Sequence, residues 1–277
     1  MGTKDIETAI FFDDDRRYAD LLNGYIFDGK QVIMEKQLYS QDTRETGKSQ
    51  KDSWGVQKRK KIQRFRDGVK RVAFGTSFTI IALEHQDKIH RGMPVRVMVE
   101  DALSYDRQMK KLQKQNREKG VLNKKDYISS LTDTDVLTPV VTIVIYYGEE
   151  PWNNSKDIYD ILAHKDLPEE IKTFINHYPI HVLDVRRFTN EECFQTDVRE
   201  VFGFIRRSLD KEAVKQYLKE REEQFTNIDE DAYDLIAAMT EITVEGVTGT
   251  VTFNADGEPE KGAKFVKIVD GAYTAVE

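Results

Sequence analysis

The 277-residue sequence has one cysteine, Cys193, so it can make neither an internal disulfide nor a cysteine-based zinc site, which suits a reducing compartment such as the cytoplasm. It has no apolar run near the roughly 20 residues that span a bilayer. Its opening, MGTKDIETAIFFDDD, has no basic n-region followed by an apolar stretch. Neither a membrane span nor a secretory leader is therefore expected. The histidines His85, His90, His164, His177 and His181 show no tight zinc spacing. His177 and His181 are four apart, but Pro179 between them argues against a shared helical face. Gly75, Gly148 and Gly203 form no phosphate-binding fingerprint, which argues against nucleotide hydrolysis. With a mean hydropathy of −0.60 the chain is polar but foldable, and its length fits one or two domains with one sizeable core.

Charge is present in quantity and is unevenly placed. The total is −7, yet Lys48 to Arg71 carries ten basic residues against Asp52 and Asp67, and Arg107 to Lys125 carries eight against Glu118. Two basic segments in an otherwise acidic chain can hold a polyanion locally, because phosphate neutralisation depends on local charge. DNA is the partner this suggests, through Lys58, Arg59, Lys60, Lys61, Arg64, Lys110 and Lys111. The plainer alternative is that such runs are solvated helix faces or loops.

Apolar spacing predicts a helix from Asp14 to Phe27, with Tyr18, Leu21, Leu22, Tyr25 and Ile26 on one face and Asp13, Asp14 and Asp15 as capping candidates. Gln41 to Lys61 is polar and reads as an exposed loop entering a basic helix. Val69–Phe74 and Phe78–Leu83, joined by Gly75-Thr76-Ser77, read as an antiparallel hairpin. Met93–Lys114 resumes a helical period, with Pro94 in its first turn. Leu137–Tyr147 is almost wholly apolar and β-branched, as in a strand buried on both faces that begins at Pro139. Short helices near Ile158–Ala163 and Glu169–Ile175, a strand at Ile180–Asp184, and helices at Thr196–Leu218 and Asp229–Met239 complete a mixed α/β sheet flanked by helices. Beyond Thr240 the helical period stops. The runs ITV, GTVTFN and KFVKIV, separated by Glu245-Gly246, Asp256-Gly257 and Asp270-Gly271, signal hairpins. This divides the chain into residues 1–240 and a small β appendage, 241–277.

Within FTIIALEHQ, Glu84 and Gln86 are two apart and project on one face of a buried strand. Asp67 opens the preceding strand, and the hairpin can bring its carboxylate to the Glu84 side. Two carboxylates at one sheet end offer hard oxygen donors suited to Mg²⁺ or Mn²⁺. Such an ion polarises a phosphoryl oxygen and lowers the pKa of an attacking water, which Gln86 could orient. Arg96, one turn into the next helix, is a candidate phosphate contact. His85 alternates with Glu84 and Gln86 and should face the other side of the sheet. Tyr146, Tyr147 and Trp152 could stack on bases but read better as core and loop anchors.

The strings ALEHQDKIHRGMPVRVMVEDALSY (82–105), TPVVTIVIYYGEEPW (138–152) and RYADLLNG (17–24) together resemble the Rpn family of recombination-promoting nucleases, a transposase-like group in the PD-(D/E)XK nuclease superfamily, over about residues 5–240. The resemblance implies a restriction-endonuclease-like core, Mg²⁺-dependent hydrolysis of DNA phosphodiesters, and a role in recombination or transposition. It makes Asp67 the first metal-binding aspartate and Glu84 the second acid. Gln86 takes the position where the superfamily often has lysine, and Asp20 resembles an extra acid supplied from the N-terminal helix. Arg66-Asp67 stands in place of the superfamily's Pro-Asp. The appendage is different: GVTGTVTFNADGEPEKGAKFVKIVDGAY resembles the last strands of periplasmic branched-chain amino-acid-binding proteins, without the two lobes that enclose a ligand. No small-molecule ligand is expected there. The sequence thus points to a metal-dependent DNA endonuclease, the alternative being a DNA-binding or assembly protein that has lost cleavage; homo-oligomerisation stays open.

Overall fold

A computed structural model describes residues 3–40, 44–47, 62–65, 68–126, 128–240, 242–246, 249–253, 266–269 and 272–275. Helices α1 (Thr3–Phe11) and α2 (Asp15–Phe27) lead into strands β1 (Leu38–Ser40), β2 (Arg44–Gly47), β3 (Ile62–Phe65), β4 (Gly68–Phe74) and β5 (Ser77–Gln86). The long helix α3 (Met93–Lys119) returns the chain to β6 (Val140–Tyr146). Then follow α4 (Glu169–Lys172), β7 (His181–Asp184), α5 (Val198–Arg207), α6 (Lys211–Glu220), α7 (Glu222–Thr226) and α8 (Glu230–Thr240). The main sheet has the order β1-β4-β5-β6-β7. Its first three strands are antiparallel, and β6 and β7 run parallel to β5. This five-stranded mixed sheet flanked by helices is compatible with a restriction-endonuclease-like core.

The hairpin falls where the sequence places it: Phe74 pairs with Ser77, and Gly75 occupies the left-handed region at φ 61°, which glycine adopts without Cβ strain. Alternation along β5 then sorts its side chains between two layers. Ile81 and Leu83 join Val72, Ile143 and Ile145 in the main core, beneath Phe11 and Phe12 and the apolar faces of α2, α5 and α8. On the opposite face, Val144 and Tyr146 pack against Met93 and Val97 of α3, with Trp152 and Ile180. Trp152 meets Tyr146 edge-on at 5.2 Å between ring centroids, and Tyr147 is buried in the main core; all three aromatics act as anchors.

Helix α2 is fixed at both ends. The Asp14 carboxylate accepts from the Arg16 and Arg17 N–H groups, and Asp28 closes the helix at φ 51°. Its Tyr18 hydroxyl donates to the Ile81 carbonyl of β5 at 2.7 Å. Gly24 lets α2 approach the buried Phe194 ring: a Cβ there would lie 2.1 Å from Phe194 Cε1. Gly24→Ala should therefore overpack the core and cost about 1–3 kcal/mol, read as a lowered urea midpoint; an unchanged midpoint would show that the ring can retreat freely.

Two expectations need correction. The predicted helix at Thr196–Leu218 is broken in two, because Asp210 accepts from the Glu212 and Ala213 N–H groups and starts α6 afresh. Arg64 belongs to a strand rather than a basic helix: β3 pairs antiparallel with β2, from Arg44↔Phe65 to Gly47↔Ile62. Ile62 and Phe65 favour such a ribbon. In the appendage, β8 (Ile242–Gly246) pairs with β9 (Gly249–Phe253), and β10 (Val266–Val269) with β11 (Ala272–Ala275), as two separate antiparallel pairs. Asp256-Gly257 lies outside the described residues.

Candidate active site

Glu84 lies near the end of β5 in register with Val144 of β6, so its side chain points to the α3 face. It is fully buried. Arg96, in the first turns of α3, donates from Nη2 to Glu84 Oε2 at 2.7 Å and from Nε to Glu100 Oε1 at 3.2 Å. Glu100, one turn further along α3, is fully buried too, whereas the Arg96 side chain keeps 27% of its exposure. The guanidinium of this half-buried side chain thus bridges two buried carboxylates. Next to Glu100, Asp101 accepts from Thr142 Oγ1 at 2.7 Å and from the Tyr178 hydroxyl at 2.6 Å. These bonds tie α3 to β6 and to the chain entering β7.

The other candidates are placed as follows. Gln86 is half-buried, and its Nε2 donates to the neighbouring His85 carbonyl at 2.6 Å. The His85 ring lies on the opposite face of the sheet, stacked on Phe12 at 5.9 Å between centroids. Burial pushes its pKa down to about 3, against the opposing charge of Asp5, so it is neutral at physiological pH and offers no positive charge to phosphate. Asp67 lies outside the described residues; its neighbour Gly68 pairs with Leu83, the neighbour of Glu84. Asp20 is buried in α2, but its carboxylate serves another partner. It accepts from the Gln195 and Thr196 N–H groups and the Thr196 hydroxyl at 2.7–2.9 Å. It lines a cavity of about 410 Å³ shared with Arg16, Ile33, Gln195 and Thr196, whose lining includes none of Glu84, Arg96 and Glu100. Cys193 is buried, and burial raises its thiol pKa to about 11, so it stays protonated and unreactive.

Lys58, Arg59, Lys60 and Lys61 lie outside the described residues, and Arg64 is in β3 opposite Glu45. Two cations of the first basic segment are used within the fold. Lys70 is buried and donates to the Asp13 carbonyl and to Asp15 Oδ1, both at 2.6 Å, and Arg71 stacks over the Phe78 ring at 3.6 Å. In the second segment Lys110 pairs with Asp106, four residues back on α3, and Lys111 is exposed. Such surface pairs contribute only a few tenths of a kcal/mol.

A family model described as "Putative transposase, YhgA-like" matches residues 73–234. The chain belongs to that family. The family's span includes Glu84, Gln86, Arg96, Lys110 and Lys111 together with Glu100 and Asp101, and leaves outside it Asp20, Asp67 and the appendage. No curated protein and no solved structure matches the chain. Among the described residues no helix is long and apolar enough to cross a membrane.

Glu100 and Asp101 are the site residues that sequence reasoning missed. The available signal was their position: two acids inside the apolar stretch VMVEDAL, with Glu100 four residues after Arg96, the spacing at which helix side chains meet.

Proposed function

We propose that the chain is a metal-dependent DNA endonuclease acting in recombination or transposition, with Glu84 at its centre. The observation that carries this reading is a fully buried carboxylate at the end of a central strand, held by an arginine that itself reaches solvent. Carboxylates are seldom buried without such a partner, and the family span covers this pair.

The donor chemistry fits Mg²⁺ or Mn²⁺, which take oxygen ligands and need only one or two carboxylates when waters and substrate phosphate complete the shell. Among the described residues no group of three His, Cys, Asp or Glu side chains could hold a metal, so Glu84 requires help from Asp67, the acid the family resemblance implies. When bound, the ion would supply Lewis-acid stabilisation and a more acidic water. Glu84 would hold the ion through its carboxylate oxygens. Gln86, an amide without charge, orients water and cannot neutralise developing phosphate charge as a lysine would. Arg96, paired with Glu84, offers a cation to a phosphate at this strand end. Lys110 and Lys111, with Lys58–Lys61 and Arg64, hold the DNA backbone.

The alternative is a DNA-binding protein that no longer cuts, and the inward turn of Gln86 onto the His85 carbonyl favours it. Supercoiled plasmid incubated with Mg²⁺ or with EDTA separates the two. Metal-dependent nicking that falls at least about 100-fold in Glu84→Gln supports the nuclease. Salt-sensitive plasmid binding with no cutting in Mg²⁺ or Mn²⁺ would replace it with the binding reading.

A further inference from the structure

We propose that Arg96 is a two-position latch on Glu84, with Glu100 as its second seat; this rests on the reading of Glu84 as a metal-binding carboxylate. The guanidinium contacts both acids at once, Nη2 on Glu84 Oε2 and Nε on Glu100 Oε1. Glu100 has a further acceptor to give. Its Oε2 is buried and has no hydrogen-bond partner among the described residues, while the residue as a whole has no solvent exposure.

A buried carboxylate oxygen left without a donor is costly, and a planar guanidinium can satisfy both oxygens of one carboxylate through parallel bonds. The Arg96–Glu100 spacing of four residues places the two side chains on one helix face. Rotation of the guanidinium from its bridging pose into a fork on Glu100 would release Glu84 Oε2 and satisfy Glu100 Oε2 together. In the bridging pose Arg96 holds Glu84 in place and competes with a divalent cation for the same oxygen. In the forked pose it leaves that oxygen to the cation and stays within one helix turn of the site. Glu100 is therefore a positioning residue that acts through Arg96. A lysine at 96 could not perform the exchange, since a single ammonium cannot form the fork.

The test is Mn²⁺ affinity of the full chain, by titration calorimetry and by electron paramagnetic resonance of free Mn²⁺, in a double-mutant cycle. Removing the competitor in Arg96→Met should tighten Mn²⁺ binding about tenfold. Glu100→Gln, which removes the second seat while leaving Arg96 on Glu84, should weaken binding about fivefold. Because Glu100 acts only through Arg96, the double variant should match Arg96→Met within about twofold. A double variant in which the two effects add would mean that Glu100 attracts the ion directly, and it would overturn the latch. So would an Arg96→Met protein with native circular dichroism and unchanged or weaker affinity. If Arg96→Met does not fold, Glu100→Gln decides alone, with unchanged or tighter binding counting against the latch. Wild-type protein that binds no Mn²⁺ would instead remove the metal-centre reading on which the latch depends.

Discussion

Asp20→Ala should destabilise the folded chain by about 3–4 kcal/mol, from three donors that lose their acceptor at roughly 1–3 kcal/mol each. The Asp20 carboxylate reaches from α2 to the segment leading into α5, where it accepts from Gln195 N–H, Thr196 N–H and Thr196 Oγ1. Among the described residues those groups have no other acceptor. The adjacent cavity, lined in part by Asp20, Gln195 and Thr196, lets water take up some of the lost bonding, which sets the total near the low end of the sum. Asp20→Asn keeps one acceptor oxygen and should lose only about 1–2 kcal/mol. Urea unfolding measures both. Nicking measured well below the transition, per folded molecule, should change little in Asp20→Asn. An Asp20→Ala protein of native stability that no longer cuts would return Asp20 to the metal centre, the role the family resemblance implies for it.

The two roles open to Asp20 show what the sequence could carry. Periodicity revealed α2, the β4–β5 hairpin and β6, because each has its own local signal: an Asp cap, a glycine-led turn, a β-branched run. It also put Glu84 and Gln86 on one face of the strand and His85 on the other. What escaped was set by tertiary partners. Helix α1 presents Ile6 and Ile10 to solvent and is held through Phe11 and Phe12, so its apolar stripe is weak when read alone. Three residues form β1, which exists by pairing with β4 from Leu38↔Val72 to Ser40↔Lys70. The α5–α6 break lies in an unbroken apolar period and depends on a single aspartate cap. At the site, Arg96 was visible as a cation and its four-residue spacing to Glu100 was in the sequence, but its commitment to Glu84 follows only from how α3 packs against the sheet.

Arg17→Met should be as damaging as Asp20→Ala, at about 3 kcal/mol. Arg17 is 2% exposed, yet its guanidinium gathers three acids from distant parts of the chain. Nε and Nη2 fork onto both oxygens of Asp197 at 2.8 Å each, Nη2 also reaches Asp229 at 2.8 Å, and Nη1 reaches Asp231 at 3.4 Å. Phe11 of α1 packs under the cation at 4.4 Å. One side chain thereby fastens α1, α2, the start of α5 and the start of α8. Removal of one member of a buried ion pair commonly costs about 3–5 kcal/mol, because the partner charge is left without compensation. Here the side chains of Asp229 and Asp231 are 61% and 49% exposed and can rehydrate, but that of Asp197 is only 17% exposed. The expected loss therefore lies at the lower bound and is carried chiefly by Asp197. Arg17→Lys preserves the charge and loses the fork, so it should recover less than half of the loss. The double variant Arg17→Met/Asp197→Asn separates the terms: recovery of most of the loss relative to Arg17→Met alone would assign the damage to the stranded Asp197 charge. A stability within about 1 kcal/mol of Arg17→Met alone would instead place it in the lost packing of the arginine stem.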